Sequence, residues 1–149
     1  MRKMLFLCTG NSARSQMAEG LMRSLGRGNW DVQSAGVIAS YVHPLAIRAM
    51  EEIGIDISHQ TSKSLDRFLN EEFDYIIAFC DHAAMSCPVF PGQGQRLQWP
   101  FEDPTGAKGT VEEQWAVFRR VRDQIKEKIE EFLKSLSPRE DNRGRGEPS

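Results

Sequence analysis

Three cysteines in 149 residues are too few, and odd in number, for a framework of structural disulfides. In a reducing compartment such cysteines serve better as reactive thiols. An excess of charge of one sign is missing too: 19 basic against 21 acidic residues leave a net charge of −2. That balance excludes a broad basic field for nucleic acid, although Arg139, Arg143 and Arg145 gather near the end. No apolar run reaches the roughly 20 residues of a membrane helix, and the chain enters a strand with no secretory leader before it. The expectation is a cytoplasmic, monomeric protein with no nucleic-acid or membrane partner. Histidine is scarce, and His43, His59 and His82 lack catalytic spacing, so they read as structural or surface residues. There is no internal repeat and no sign of a second domain.

What is present alternates between two periods. Lys3–Leu7 reads as a first strand and Ser15–Leu25 as a helix with Met17, Leu21, Met22 and Leu25 on one face. Asp31–Ser34 is a short strand, and Pro44 opens a helix to about Ile53, with Gly54 where a terminating glycine belongs. Ser64–Asn70 reads as a further helix. Tyr75–Phe79 is an apolar strand typical of burial on both faces, and Arg96–Trp99 is a fourth strand. Val111, Trp115, Phe118, Val121, Ile125, Ile129, Phe132 and Leu136 recur at steps of three and four, which makes a long amphipathic helix. Strands alternating with helices predict one α/β domain over residues 1–137, with a four-stranded parallel sheet ordered 2-1-3-4 and flanked by helices. Residues 138–149 read as a disordered tail.

The loop Cys8-Thr-Gly-Asn-Ser-Ala-Arg14-Ser15 joins the first strand to the first helix. The thiolate is the nucleophilic form of cysteine. At the ordinary cysteine pKa, only roughly 3% would be ionised at pH 7. Three features of the loop favour the thiolate: helix N-terminal amides, the Arg14 guanidinium and the Ser15 hydroxyl. The same features bind an oxyanion. Successive amides of Thr9, Gly10, Asn11, Ser12, Ala13 and Arg14 make a concavity for it, and Arg14 can grip two oxygens at once. Gly10 is expected to supply an unusual backbone angle, and Asn11 tolerates the left-handed region. A buried strand-end cysteine beside an ordinary helix cap would share the Cys-x5-Arg spacing. The strand before, Ser15 and the helix after it favour the oxyanion reading.

On these residues, Cys8 through Gly20, the chain resembles proteins of the low-molecular-weight phosphotyrosine phosphatase fold, and within them the thioredoxin-coupled arsenate reductases. Gln16 stands where the phosphatases usually carry proline, and Ala13 where many members carry a second cysteine.

The second informative stretch is Cys80-Asp-His-Ala-Ala-Met-Ser-Cys87-Pro88. Cysteines seven apart lie roughly 23 Å from one another when extended and about 10 Å along a helix. A disulfide needs Cα atoms within roughly 7 Å, so the segment must loop back to form one. Two buried core cysteines are an alternative. A zinc site at Cys80, His82 and Cys87 lacks a nearby fourth ligand, so no metal is expected. The resemblance extends to this pair, which the phosphatases of the fold lack. It implies that Cys8 attacks arsenate, that Cys80 then attacks the Cys8 sulfur, and that Cys87 takes over the disulfide, which thioredoxin reduces.

Trp99-Pro-Phe-Glu102-Asp103-Pro104 matches the family's Asp-Pro motif. By resemblance Asp103 is the acid that protonates the departing oxygen, with Glu102 as fallback; a turn aspartate before proline is the plain alternative. Some members bind potassium near the loop, at positions matching Asn11, Glu19, Ser34 and Thr61. Here Lys63 replaces a nearby carboxylate, so its ammonium is expected to fill the cation's role and potassium is disfavoured. No tightly bound cofactor is implied. The whole resemblance implies an arsenate reductase of arsenic detoxification, drawing electrons from thioredoxin through Cys8, Cys80 and Cys87. The alternative is a protein tyrosine phosphatase using Cys8, Arg14 and Asp103.

Overall fold

The computed structural model describes residues 2–79 and 94–136. Arg2–Cys8 (β1) runs through the middle of a four-stranded parallel sheet, between Trp30–Gly36 (β2) and Tyr75–Ala78 (β3). Gln95–Gln98 (β4) lies outside β3, which gives the order 2-1-3-4 that the alternation predicts. The expected cysteine pair Cys80 and Cys87, the histidine His82 and the tail 138–149 lie outside the described residues.

A central parallel strand is covered on both faces, and β1 shows why its sequence is almost wholly apolar. Successive side chains alternate. Met4, Phe6 and Cys8 enter one core with Met17, Leu21, Phe118, Val121 and Ile125. Leu5 and Leu7 enter a second core with Ala35, Phe68, Phe73 and Ile76. Each of these large buried side chains contributes about 1.5–3 kcal/mol of transfer free energy. The larger core lies under three helices: Arg14–Leu25 (α1), Pro44–Glu51 (α2) and Val111–Ser135 (α3), of which α3 packs against the other two.

The long helix α3 starts on a capping box. The Thr110 hydroxyl accepts from the Glu113 amide, and the Glu113 carboxylate accepts from the Thr110 amide, both at 3.1 Å. Of its periodic face, Phe118, Val121, Ile125 and Ile129 are buried, but Val111 is 58% exposed because the helix overhangs the core at its start. Arg122 is buried on that helix too, donating to the Ala49 carbonyl at 2.8 Å and to Glu52 at 2.5 Å. Ser64–Asn70 is not an α-helix. It is a single 3-10 turn, Leu65–Phe68, whose buried anchor is Phe68. One buried residue on so short a segment cannot repay the nucleation of further turns. The end of α2 falls at Glu51, and Gly54 takes a φ of +81° in the turn that follows.

Candidate active site

Cys8 ends β1, and Arg14 begins α1 six residues on. The helix has no side-chain cap: Ala13 occupies the capping position and offers no oxygen. Its first amides are therefore left for an outside anion.

The loop between them is held by its carbonyls. Thr9 O accepts from Ile38 N at 3.2 Å, Ser12 O from His43 N at 3.0 Å, and Ala13 O from Met17 N at 2.9 Å. Gly10 O accepts from the Ser40 and Ser62 hydroxyls at 2.7 and 3.1 Å. Asn11 O accepts from the Gln16 side chain at 3.1 Å. Every carbonyl from Thr9 to Ala13 is thus tied to surrounding structure. In a trans peptide the N–H points opposite the carbonyl. The amides of Gly10 through Arg14 have no backbone acceptor among the described residues, and each points away from the group that ties its peptide's carbonyl. That is an anion cradle.

The residue that gives this loop its sharp turn is not Gly10, whose φ is not in the left-handed region. Asn11 takes that role with a φ of 48°. The glycine that the loop requires is Gly36, at the end of β2. A Cβ there would lie 2.7 Å from both Asn11 N and Thr9 O. The loop rests directly on the Gly36 backbone, a close approach that only glycine allows.

Below the cradle runs a buried polar chain whose sense is fixed at both ends. Glu19 accepts from the Ser34 hydroxyl at 2.5 Å, so Ser34 must donate there. The Ser34 oxygen then accepts from Asn11 Nδ2 at 3.0 Å. The Lys63 amide donates to Asn11 Oδ1 at 2.7 Å, which fixes the orientation of the Asn11 amide independently. Asn11 Nδ2 donates in turn to Ser15 Oγ at 2.8 Å. The Ser15 hydroxyl lies 2.8 Å from Cys8 Sγ, a bond in which either atom can donate, and its proton is available to a thiolate there. Cys8 itself is buried, 3% exposed.

Glu19 is buried with two cations, Arg23 at 2.8 Å and Lys63 at 3.7 Å. The Lys63 ammonium also donates to the Thr61 carbonyl at 2.7 Å. Burial pushes the Lys63 pKa below its usual value, and Glu19 opposes that push. Asn11, Glu19, Ser34 and Thr61 therefore do converge on one place, and a built-in ammonium reaches into it. Among the described residues, no group of three or more His, Cys, Asp or Glu is arranged to hold a metal.

Arg14 is anchored from the far side of the sheet. Its Nη1 donates to the Phe79 carbonyl at 2.6 Å and to the Phe101 carbonyl at 3.1 Å. Those two bonds occupy Nη1 and leave Nε and Nη2, the side-on pair, for two oxygens of a ligand. Stacked Phe6 and Phe79, with ring centres 5.5 Å apart, and Trp99 close behind them fix the strand end that supplies the first carbonyl. Asp103 Oδ2 lies 3.6 Å from Arg14 Nη2. Its other oxygen accepts from the Thr105 amide and hydroxyl at 3.0 and 2.7 Å, capping the 3-10 turn Pro104–Gly106. One carboxylate oxygen is thus committed to a turn and the other faces the cradle. The plain alternative, a turn aspartate before proline, describes one of its two oxygens. Glu102, the fallback, pairs with Arg120 of α3 at 2.6 Å.

His43 is structural, as its lack of catalytic spacing suggests. Its Nδ1 accepts from the Leu45 amide at 3.1 Å and caps α2, and its ring packs 4.7 Å from Phe118. Burial lowers its pKa, with nearby Asp103 acting the other way. Sequence reasoning missed Ser40, Ser62 and Gly36. Only the Ala35-Gly36 pair at the strand end hinted at a close approach.

Three comparisons place this geometry among known proteins. Residues 3–142 match the family model described as low molecular weight phosphotyrosine protein phosphatase. An arsenate reductase of Halalkalibacterium halodurans is 52% identical over 130 residues, which cover 87% of this chain and 94% of that protein. The solved structure of an arsenate reductase in a phosphate-binding state superposes with a TM-score of 0.77 at 42% identity, covering 92% of this chain and 100% of the other. A thioredoxin-dependent arsenate reductase of Corynebacterium glutamicum superposes with a TM-score of 0.68 at 28% identity, covering 91% of this chain and 61% of the other.

Proposed function

The chain belongs to the low molecular weight phosphotyrosine protein phosphatase family, and we propose that within it this protein reduces arsenate to arsenite by a relay of three cysteines. The observation that carries the proposal is the cradle: Cys8 beside the Ser15 hydroxyl, at the foot of a loop whose carbonyls from Thr9 to Ala13 are all bonded to other groups. Arsenate and phosphate are tetrahedral oxyanions, and an arsenate reductase of similar fold is known in a phosphate-binding state.

In the proposed cycle the Cys8 thiolate attacks arsenic(V), and an oxygen leaves as water after accepting protons, with Asp103 as one donor. Amides of the loop and Arg14 hold the remaining oxygens. Cys80 then attacks the Cys8 sulfur. The sulfur–arsenic electron pair stays on arsenic, which departs as arsenite(III), and Cys8 and Cys80 share a disulfide. Cys87 attacks Cys80, Cys8 leaves as thiolate, and the Cys80–Cys87 disulfide carries the oxidising equivalents to thioredoxin. Two electrons pass from the dithiol donor to each arsenate. Support for the pair comes from its sequence spacing and from the thioredoxin dependence of the C. glutamicum protein.

Lys63 takes the place of a bound potassium ion in this reading, because its ammonium already neutralises Glu19. The rival activity is phosphomonoester hydrolysis by Cys8, Arg14 and Asp103, and the family model favours it as a second reading.

The deciding experiment is arsenate-dependent NADPH consumption with thioredoxin and thioredoxin reductase, run beside Cys87→Ser. Turnover by the wild type and arrest of the variant after about one equivalent support the relay. Hydrolysis of an aryl phosphate by both, with no arsenate turnover by either, assigns the protein to the phosphatases.

A further inference from the structure

The loop is braced by two kinds of tie. The bonds to Thr9 O and Ser12 O come from backbone amides of Ile38 and His43, in the connection between β2 and α2. No substitution other than proline removes them. The bonds to Gly10 O come from two side chains, Ser40 in that same connection and Ser62 in the segment leading to the 3-10 turn. Ser62 Oγ also accepts from the Ser40 amide at 2.8 Å. This third bond occupies an acceptor site of Ser62 and leaves its proton for the Gly10 carbonyl. Two hydroxyls from two different connections therefore converge on one carbonyl of the cradle, and they hold each other in place.

The Gly10 carbonyl and the Asn11 amide belong to one peptide unit, so holding the oxygen outward holds the N–H inward. Asn11 stands at a φ of 48°, a conformation that its surroundings must stabilise. Rotation of that peptide would remove one donor from the cradle and aim a carbonyl oxygen at the bound anion. Both changes oppose anion binding.

We propose that Ser40 and Ser62 are positioning residues, a paired clamp on the Gly10 carbonyl that sets the oxyanion affinity of the loop. The inference rests on the oxyanion-binding reading of the loop and deepens it. The clamp touches neither the sulfur nor the reacting oxygens. Its loss should therefore appear in binding and hardly in the chemical step.

The test uses inorganic phosphate as probe, read by the rise in melting temperature of the full chain and by competitive inhibition of arsenate turnover. Ser40→Ala and Ser62→Ala are each expected to weaken phosphate about two- to threefold, because one hydroxyl remains. The double variant is expected to weaken it more than about tenfold, beyond the product of the singles, as for residues sharing one partner. KM for arsenate should rise in parallel while kcat stays within about threefold. Ser62→Thr, which keeps the hydroxyl, should bind phosphate like the wild type. A double variant within about twofold of the wild type overturns the clamp, as do single variants with no loss or a Ser62→Thr loss equal to that of Ser62→Ala. A wild type that binds no phosphate refutes instead the oxyanion reading on which the clamp rests. Ser40 is exposed, so its single variant tests the proposal even where the double variant folds poorly.

Discussion

Removing the Ser15 hydroxyl should silence Cys8 at neutral pH while leaving it in place. The hydroxyl lies 2.8 Å from the sulfur and accepts from Asn11, which leaves its proton available to a Cys8 thiolate. A hydrogen bond to a charged acceptor is worth about 1.5–3 kcal/mol. At about 1.4 kcal/mol per factor of ten, that is roughly a 10- to 150-fold change in the thiolate population. Helix amides and Arg14 still act on the sulfur, so the lower end of that range is expected. The assay is the rate of iodoacetamide alkylation in a Cys80→Ser/Cys87→Ser background, where Cys8 is the one remaining thiol of three. Ser15→Ala should slow alkylation at pH 7 by about tenfold or more. Near pH 10, where both proteins carry a thiolate, the two rates should converge. Rates within about twofold at pH 7 would refute the argument. A gap that persists unchanged at high pH would do so as well, because it would indicate altered access.

Other consequences follow from the same contacts. Gly36→Ala places a Cβ 2.7 Å from two backbone atoms of the loop. It should cost about 1–3 kcal/mol in urea unfolding and abolish phosphate binding; wild-type binding by this variant would show that the loop does not rest on Gly36. Adding potassium should leave turnover and melting temperature unchanged, since the Lys63 ammonium reaches both Glu19 and Thr61. A clear potassium-dependent rise in either would sink that account. His43 has a lowered pKa in the fold, so the unfolded chain binds its proton first. The stability this gives is complete above the ordinary histidine pKa, near 6.5, and is lost as pH falls below it. His43→Asn keeps a capping side chain and has no such proton. Its melting temperature should fall less steeply than the wild type's between about pH 7 and pH 5, and equal slopes would exclude His43 as the cause.

The alternation of periods made the sheet order legible, because a buried parallel strand and an amphipathic helix leave different patterns. The loop was legible for a different reason: its residues are consecutive, so strand, nucleophile, arginine and helix appear in one line of text. What escaped the sequence depends on partners far apart along the chain. Glu19, Ser34 and Asn11 come from α1, β2 and the loop; family resemblance grouped them as potassium-site positions, but only the closed sheet makes them one chain of bonds. Gly36 and Gly10 look alike in sequence, yet a neighbouring backbone reserves one of them and a carbonyl clamp involves the other. The expected helix at Ser64–Asn70 failed because local propensity could not outweigh a single buried anchor at Phe68. Arg122 interrupts an otherwise apolar face, and the Ala49 carbonyl and Glu52 at the end of the neighbouring helix account for it.

The anchoring of Arg14 also has a meaning in time. Cys8 and Arg14 leave the ribosome before the carbonyls that orient the guanidinium, which belong to Phe79 and Phe101, 65 and 87 residues after Arg14. β1 likewise waits for β3 to close its second edge. Contacts of such long sequence separation form late in folding. A nascent chain that ends before Phe101 therefore carries the cysteine without the assembled cradle, and the anion site exists only once most of the domain has been made.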